Sequence, residues 1–114
     1  MKVYALARYH DCAAAVDFLT GAFGFEAHDV SRTDEGTVHH AELRAGDDIV
    51  MLGLGRPGGP GVYVAVDDVD AHHDRARAAG AKIIMELVDQ PYGSREYAAE
   101  DPQGNAWYFG TYRP

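Results

Sequence analysis

Two halves of this chain repeat one pattern. Asp11 is followed thirteen residues later by Gly24, and Asp67 thirteen residues later by Gly80, each pair bracketing an Ala-rich stretch with helical spacing of apolar residues. Each half then closes on an apolar run ending in Gly, Ile49 to Gly53 in the first and Ala106 to Gly110 in the second, so the offset is 56 to 57 residues in a chain of 114. A unit of roughly fifty residues buries too little apolar surface to stand alone, so the two copies must share a core with each other or with a second chain.

Within each copy the periodicities are legible. Lys2 to Tyr9 alternates, Val3, Ala5 and Ala7 against Tyr4, Leu6 and Arg8, as a half-buried strand does. Asp11 reads as an N-cap, and Ala15, Val16, Leu19, Ala22 and Phe23 follow at three- and four-residue spacing until Gly24 stops the helix. Strands are expected at Val38 to Arg44 and Ile49 to Leu52, joined by the turn Ala45 to Asp48. The second copy runs through a strand at 62–66, a helix at 69–79 capped by Asp67 or Asp68, strands at 81–88 and 95–99, the turn Asp101 to Asn105 and a last strand at 106–109. Each half is therefore expected to be β-α-β-β-β, modules 1–53 and 61–114 joined by a Gly/Pro connector at 54–60, in an α+β fold with helices 12–22 and 69–79 on one side.

Charge narrows the functions available. Eighteen acidic against ten basic residues give a net charge of −8, which argues against a nucleic-acid partner, since that binding is driven by Lys and Arg neutralising phosphates. No apolar run approaches the roughly 20 residues that cross a bilayer, and Met1 to Tyr4 enters a strand pattern directly, so the expectation is a cytoplasmic protein without membrane contact. The single Cys12 cannot form an internal disulfide. It sits in a first helical turn, where the dipole would favour a thiolate, and it also reads as a small residue of the helix face. His72 and His73, near Asp70 and Asp74, read as a solvated helix face.

The duplicated pattern, the Asp-capped helices and the closing Glu100-Asp101-Pro102-Gln103-Gly104-Asn105-Ala106-Trp107 resemble the vicinal oxygen chelate superfamily of glyoxalases, extradiol dioxygenases and bleomycin resistance proteins. The segments 8–11, 40–44 and 92–97 are similar to its PhnB-like and bleomycin-resistance-like branch. The resemblance implies a curved mixed sheet with a concave groove, modules that pair within a chain or exchange in a dimer, and, in metal-dependent members, four ligands from the first and last strands of each half. Those positions fall here on Tyr4, Met51, Gly61 and Tyr108. None suits a divalent ion: a phenol ionises near pH 10, a thioether selects soft metals, and Gly has no side chain.

The expectation is thus a protein without metal or cofactor that sequesters an aromatic or cationic small molecule in the groove, as an antibiotic-resistance protein of the bleomycin type does. Period-two reasoning lines the groove with Tyr4, Leu6, Arg8, His40, Glu42, Met51 and Tyr63, and with Arg95, Tyr97 and Tyr108. In glutathione-using relatives the position matching Arg8 helps hold a carboxylate, which makes Arg8 an anion-anchor candidate; it could also simply pair with Glu42. The competing expectation is a glyoxalase-like lyase, isomerase or dioxygenase with a relocated metal or acid-base pair at His40 and Glu42. A homodimer is expected because Trp107, Phe109, Tyr112 and the groove tyrosines exceed what so short a chain can cover.

Overall fold

The computed structural model describes residues 1–114. Strand β1 (Ala5–Tyr9) leads into helix α1 (Cys12–Phe23), then β2 (Glu26–Arg32), β3 (Val38–Ala45) and β4 (Asp48–Leu54); the second half repeats this as β5 (Val62–Ala65), α2 (Val69–Ala78), β6 (Lys82–Asp89), β7 (Arg95–Glu100) and β8 (Ala106–Gly110). The strands form two four-stranded mixed sheets, ordered β1-β4-β3-β2 and β5-β8-β7-β6, each with one parallel pair and two antiparallel ones. This is the α+β fold of two β-α-β-β-β units expected from the repeat. Strand β2 escapes the alternation because its residues, EAHDVSR, are mostly polar and exposed. Tyr4 lies just outside β1.

Both helices begin on a carboxylate cap. Asp11 accepts from the Ala14 N–H and Asp68 from the Ala71 N–H, each at 3.0 Å, satisfying donors that a helix end otherwise leaves orphaned. Gly24 ends α1 with φ 76°, a conformation that glycine adopts without penalty. Its missing Cβ also leaves room for Arg75, whose guanidinium nitrogen lies 2.9 Å from where that atom would be. From there Arg75 donates to the carbonyls of Gly21 and Thr20 and ties α2 to the end of α1.

One core serves both halves, as units this small require. Phe23, at the end of α1, packs on Phe25 and crosses to Trp107 and Phe109 of the second sheet, with ring centroids 5.9 and 4.7 Å away. Tyr9 donates to the Asp101 carboxylate at 2.6 Å. Asn105 donates to the Arg8 carbonyl while accepting from the Gly58 N–H of the connector, so the Gly/Pro segment is pinned at one point along its length. Cys12 is buried, and burial followed by the neighbouring Asp11 raises its thiol, so it is a core residue of the helix face and not an activated thiolate. No helix is long and apolar enough to cross a membrane.

His72 and His73 correct the expectation of a solvated face. The polar helix α2 has few apolar residues to turn inward, so Val69, His73 and Ala76 form its buried stripe, with His72 beside them. The His72 ring spans the two halves: Nε2 faces the Phe23 carbonyl at 2.8 Å and Nδ1 faces the Tyr97 hydroxyl. Because a carbonyl can only accept, Nε2 carries the proton and Nδ1 accepts from Tyr97. Burial, foremost, lowers the His72 pKa below the ordinary 6.5; the Phe23 carbonyl opposes the shift and Arg75 adds to it. The unfolded chain therefore takes up this proton more readily than the folded one. The contribution of His72 to stability is complete above about pH 6.5 and is lost as pH falls below it. Urea midpoints measured at pH 7.5 and pH 5.5 should fall on acidification in the wild type and fall less in His72→Gln; equal slopes would refute the assignment.

Candidate functional site

The molecule measures 49 × 35 × 21 Å. Its short dimension corresponds to one sheet layer and one helix layer at the usual spacing of about 10 Å, so the helices cover one face of each sheet and leave the other open. The register places the first half's residues on that open face in rows. Leu6, Met51 and Glu42 stand side by side, and the next row is Arg8, Gly53 and His40. Ala41 and Leu43, the alternating neighbours, are fully buried under α1. In the second half Tyr63 stands beside Tyr108, followed by Ala98; the next row is Ala65, Gly110 and Glu96.

Tyr4, Leu6, Arg8, His40, Glu42, Met51, Tyr63 and Tyr108 are thus exposed or half-buried, as the alternation predicts. Leu6, Tyr63 and Tyr108 expose 44, 39 and 41 % of their surface. Arg95 and Tyr97 do not belong with them. Tyr97 is fully buried among Phe109, His72 and His73, and Arg95 turns to α2 and β6, donating to Asp70 at 2.8 Å and Asp89 at 3.2 Å. Glu96 stands on the open side in their stead, and Ala98, on the same side by register, is fully buried. Trp107 and Phe109 are likewise fully buried on the helix side, which removes them from the apolar surface needing a partner.

Arg8 extends over two glycines: a Cβ on Gly53 would stand 2.9 Å from its guanidinium and one on Gly55 would stand 3.0 Å from its stem. Its one side-chain hydrogen bond goes to the Leu54 carbonyl, and no carboxylate pairs with it. The alternative that Arg8 pairs with Glu42 is not what forms; Glu42 meets His40 instead, at 3.5 Å. The largest cleft, about 670 Å³, runs between the halves and brings Tyr4 and Ile49 opposite Tyr63 and Val64, with the Asp67–Arg113 ion pair at its rim.

Tyr4, Met51, Gly61 and Tyr108, the positions to which the resemblance points for a metal, do not fit a divalent ion. At Gly61 an added Cβ would meet the Tyr108 ring at 2.5 Å, so the space for a ligating side chain is occupied by that ring. His40 and Glu42 offer two donors, and nowhere do three His, Cys, Asp or Glu side chains converge for a metal.

Comparison with known proteins bears on what this face belongs to. The family model described as "Glyoxalase/Bleomycin resistance protein/Dioxygenase superfamily" matches residues 3–109. The chain belongs to that superfamily. TioX from Micromonospora sp. ML1 is similar over 96% of this chain and 94% of its own, at 35% identity and a TM-score of 0.84. The anthracycline biosynthesis protein DnrV of Streptomyces peucetius is 33% identical over 116 residues, which cover 85% of this chain and 42% of DnrV. The bleomycin-binding protein of Streptomyces verticillus, solved with copper(II)-bleomycin, matches 96% of this chain and 93% of its own at 24% identity and a TM-score of 0.72, a likeness of fold. Within the superfamily this chain keeps the two-unit architecture.

Sequence reasoning missed Asp101, Asn105 and Glu96. The first two pass for turn residues, and only the folded chain shows that they join the halves; placing Arg95 and Tyr97 in the groove leaves Glu96 out of it.

Proposed function

We propose that this protein binds an aromatic or cationic small molecule against the open sheet faces without a metal ion, as a sequestering protein of the bleomycin-resistance type. The observation that carries the reading is the open face itself: Leu6, Tyr63 and Tyr108 are exposed on it, and the Tyr108 ring lies over Gly61 where a side chain would otherwise stand. Aromatic rings with a few aimed polar groups suit a planar ligand. Names of the relatives support the same chemistry, since one is described as bleomycin-binding and another as an anthracycline biosynthesis protein.

One chain leaves these faces uncovered, and a second copy laid against them would turn two flat walls into a groove. A sheet face that exposes Leu6, Tyr63 and Tyr108 favours self-association. Light scattering at micromolar concentration should give the mass of a homodimer; a monomer would contradict this part of the proposal.

Tyr108→Ala should weaken binding of a planar aromatic such as an anthracycline by about 1 to 3 kcal/mol, the range for an aromatic anchor in a binding face. The ligand's own fluorescence is the suitable readout, because Trp107 lies on the buried side. Unchanged affinity would overturn the placement. The second reading, a lyase, isomerase or dioxygenase, has its support in the contact between His40 and Glu42. It requires turnover that His40→Gln and Glu42→Gln each remove while ligand binding persists.

A further inference from the structure

Beyond the two sheet faces, one cluster at the end of the second half has no role in the core. Tyr63 from β5, Tyr92 from the β6–β7 loop, Glu96 from β7 and Tyr112 from the C-terminal tail come together around Gly110. A Cβ on Gly110 would fall 2.7 Å from both the Tyr63 hydroxyl and the Glu96 stem, so glycine there is what lets the two side chains close over the strand. The Tyr92 hydroxyl donates to one Glu96 oxygen at 2.7 Å. The Tyr92 and Tyr112 rings stand 6.3 Å apart and nearly perpendicular, at 82°. All three tyrosines are exposed.

The cluster is held rigid by the tail. Tyr63 donates to the Tyr112 carbonyl, the Tyr112 N–H donates to the buried Ser94 hydroxyl, and Thr111 exchanges two hydrogen bonds with the backbone of Arg95. These bonds tie down the backbone at Thr111 and Tyr112, and the Tyr112 ring stands beside Tyr92. Glu96 has no basic partner. In this half Asp67, Asp70, Asp74, Glu86 and Asp89 each meet an Arg or His, whereas Glu96, like Asp68, Glu100 and Asp101, meets none, and of those four it is the one set beside exposed tyrosines. A carboxylate without a cation beside exposed aromatic rings attracts an ammonium group lying within about 6 Å of those rings.

We infer that Tyr63, Tyr92, Tyr112 and Glu96 form a subsite for an organic ammonium group, the cationic end of a ligand whose aromatic part lies on Tyr108. The inference rests on the proposed ligand-binding face and names the ligand's second feature. Its position follows from the register: Glu96 and Gly110 occupy the row next to Tyr63 and Tyr108. A molecule carrying an amine a few bonds from a planar ring system would engage both rows.

Choline is a suitable isolated probe, and 3,3-dimethylbutan-1-ol is its neutral isostere. In proton NMR titrations choline should produce saturable shifts of the Tyr92 and Tyr112 ring resonances, and the neutral isostere should not. Glu96→Gln keeps size and hydrogen-bonding capacity while removing the charge, and should weaken choline at least tenfold. Tyr112→Ala should abolish the Tyr92 shifts, with circular dichroism confirming the fold. Equal shifts from the isostere, or full choline affinity in Glu96→Gln, would overturn the subsite. Anthracycline binding reports separately on the Tyr108 face: if it persists while choline fails, the subsite is wrong and the binding face stands, and if choline binds where no aromatic does, the reverse holds.

Discussion

Phe23→Ala should destabilise the protein by about 3 to 5 kcal/mol, the usual cost of removing a buried aromatic ring and leaving a cavity. Phe23 is buried against Phe18, Phe25, His72, Trp107 and Phe109, all with centroids within 6.1 Å, and those partners come from both halves. The loss should therefore be felt by both halves in one transition. Urea unfolding followed by Trp107 fluorescence reports on the second half, and far-UV circular dichroism reports on the whole chain. Coincident transitions, shifted together, are expected. A variant in which Trp107 keeps its wild-type midpoint while part of the ellipticity is lost would show that the halves fold independently.

Asp101→Asn is expected to cost a similar amount, about 3 to 5 kcal/mol, although it changes almost no volume. The buried carboxylate accepts four hydrogen bonds: from the Tyr9 hydroxyl and the Trp107 indole on one oxygen, and from the backbone N–H groups of Gln103 and Asn105 on the other. An amide supplies one accepting oxygen, so its NH₂ must point at one pair of donors. The Tyr9 hydroxyl can rotate to accept, but the Trp107 and backbone N–H groups cannot. Burial and the Asp101 charge hold the Tyr9 phenol far above its ordinary ionisation range, which keeps it a donor across all usable pH. Thermal unfolding of Asp101→Asn beside Tyr9→Phe separates the contributions, and Tyr9→Phe should cost clearly less because it removes a single hydrogen bond. A silent Asp101→Asn would contradict the role given to this carboxylate.

Sequence periodicity served well where one face of an element is wet and the other dry. The first half of the open face was legible for that reason: Leu6, Arg8, His40, Glu42 and Met51 alternate with residues that α1 buries. Strand β7 defeated the same reasoning. Its residues Tyr97, Ala98 and Ala99 are all buried, so no polar alternation marks the two faces, and the opposite assignment put Arg95 and Tyr97 in the groove. The deciding contact lies across a long sequence separation, between Tyr97 and His72. The histidines of α2 were misread for a related reason, since a helix this polar has to bury its aromatic imidazoles for want of aliphatic residues. Links between the halves made by Asp101, Asn105 and Arg75 join positions more than fifty residues apart for Arg75 and more than ninety for the others, and local pattern cannot reveal them.

The central claim is binding without metal, and a titration under chelation tests it most directly. The protein is dialysed against EDTA, and an anthracycline is titrated into it by fluorescence with EDTA present and again after adding Zn²⁺, Ni²⁺ or Mn²⁺. Because Tyr4, Met51, Gly61 and Tyr108 cannot supply the nitrogen and oxygen donors those ions need, the two dissociation constants should agree. Binding that appears only on adding metal, together with one metal ion per chain by elemental analysis, would contradict the account and assign His40 and Glu42 to a metal site.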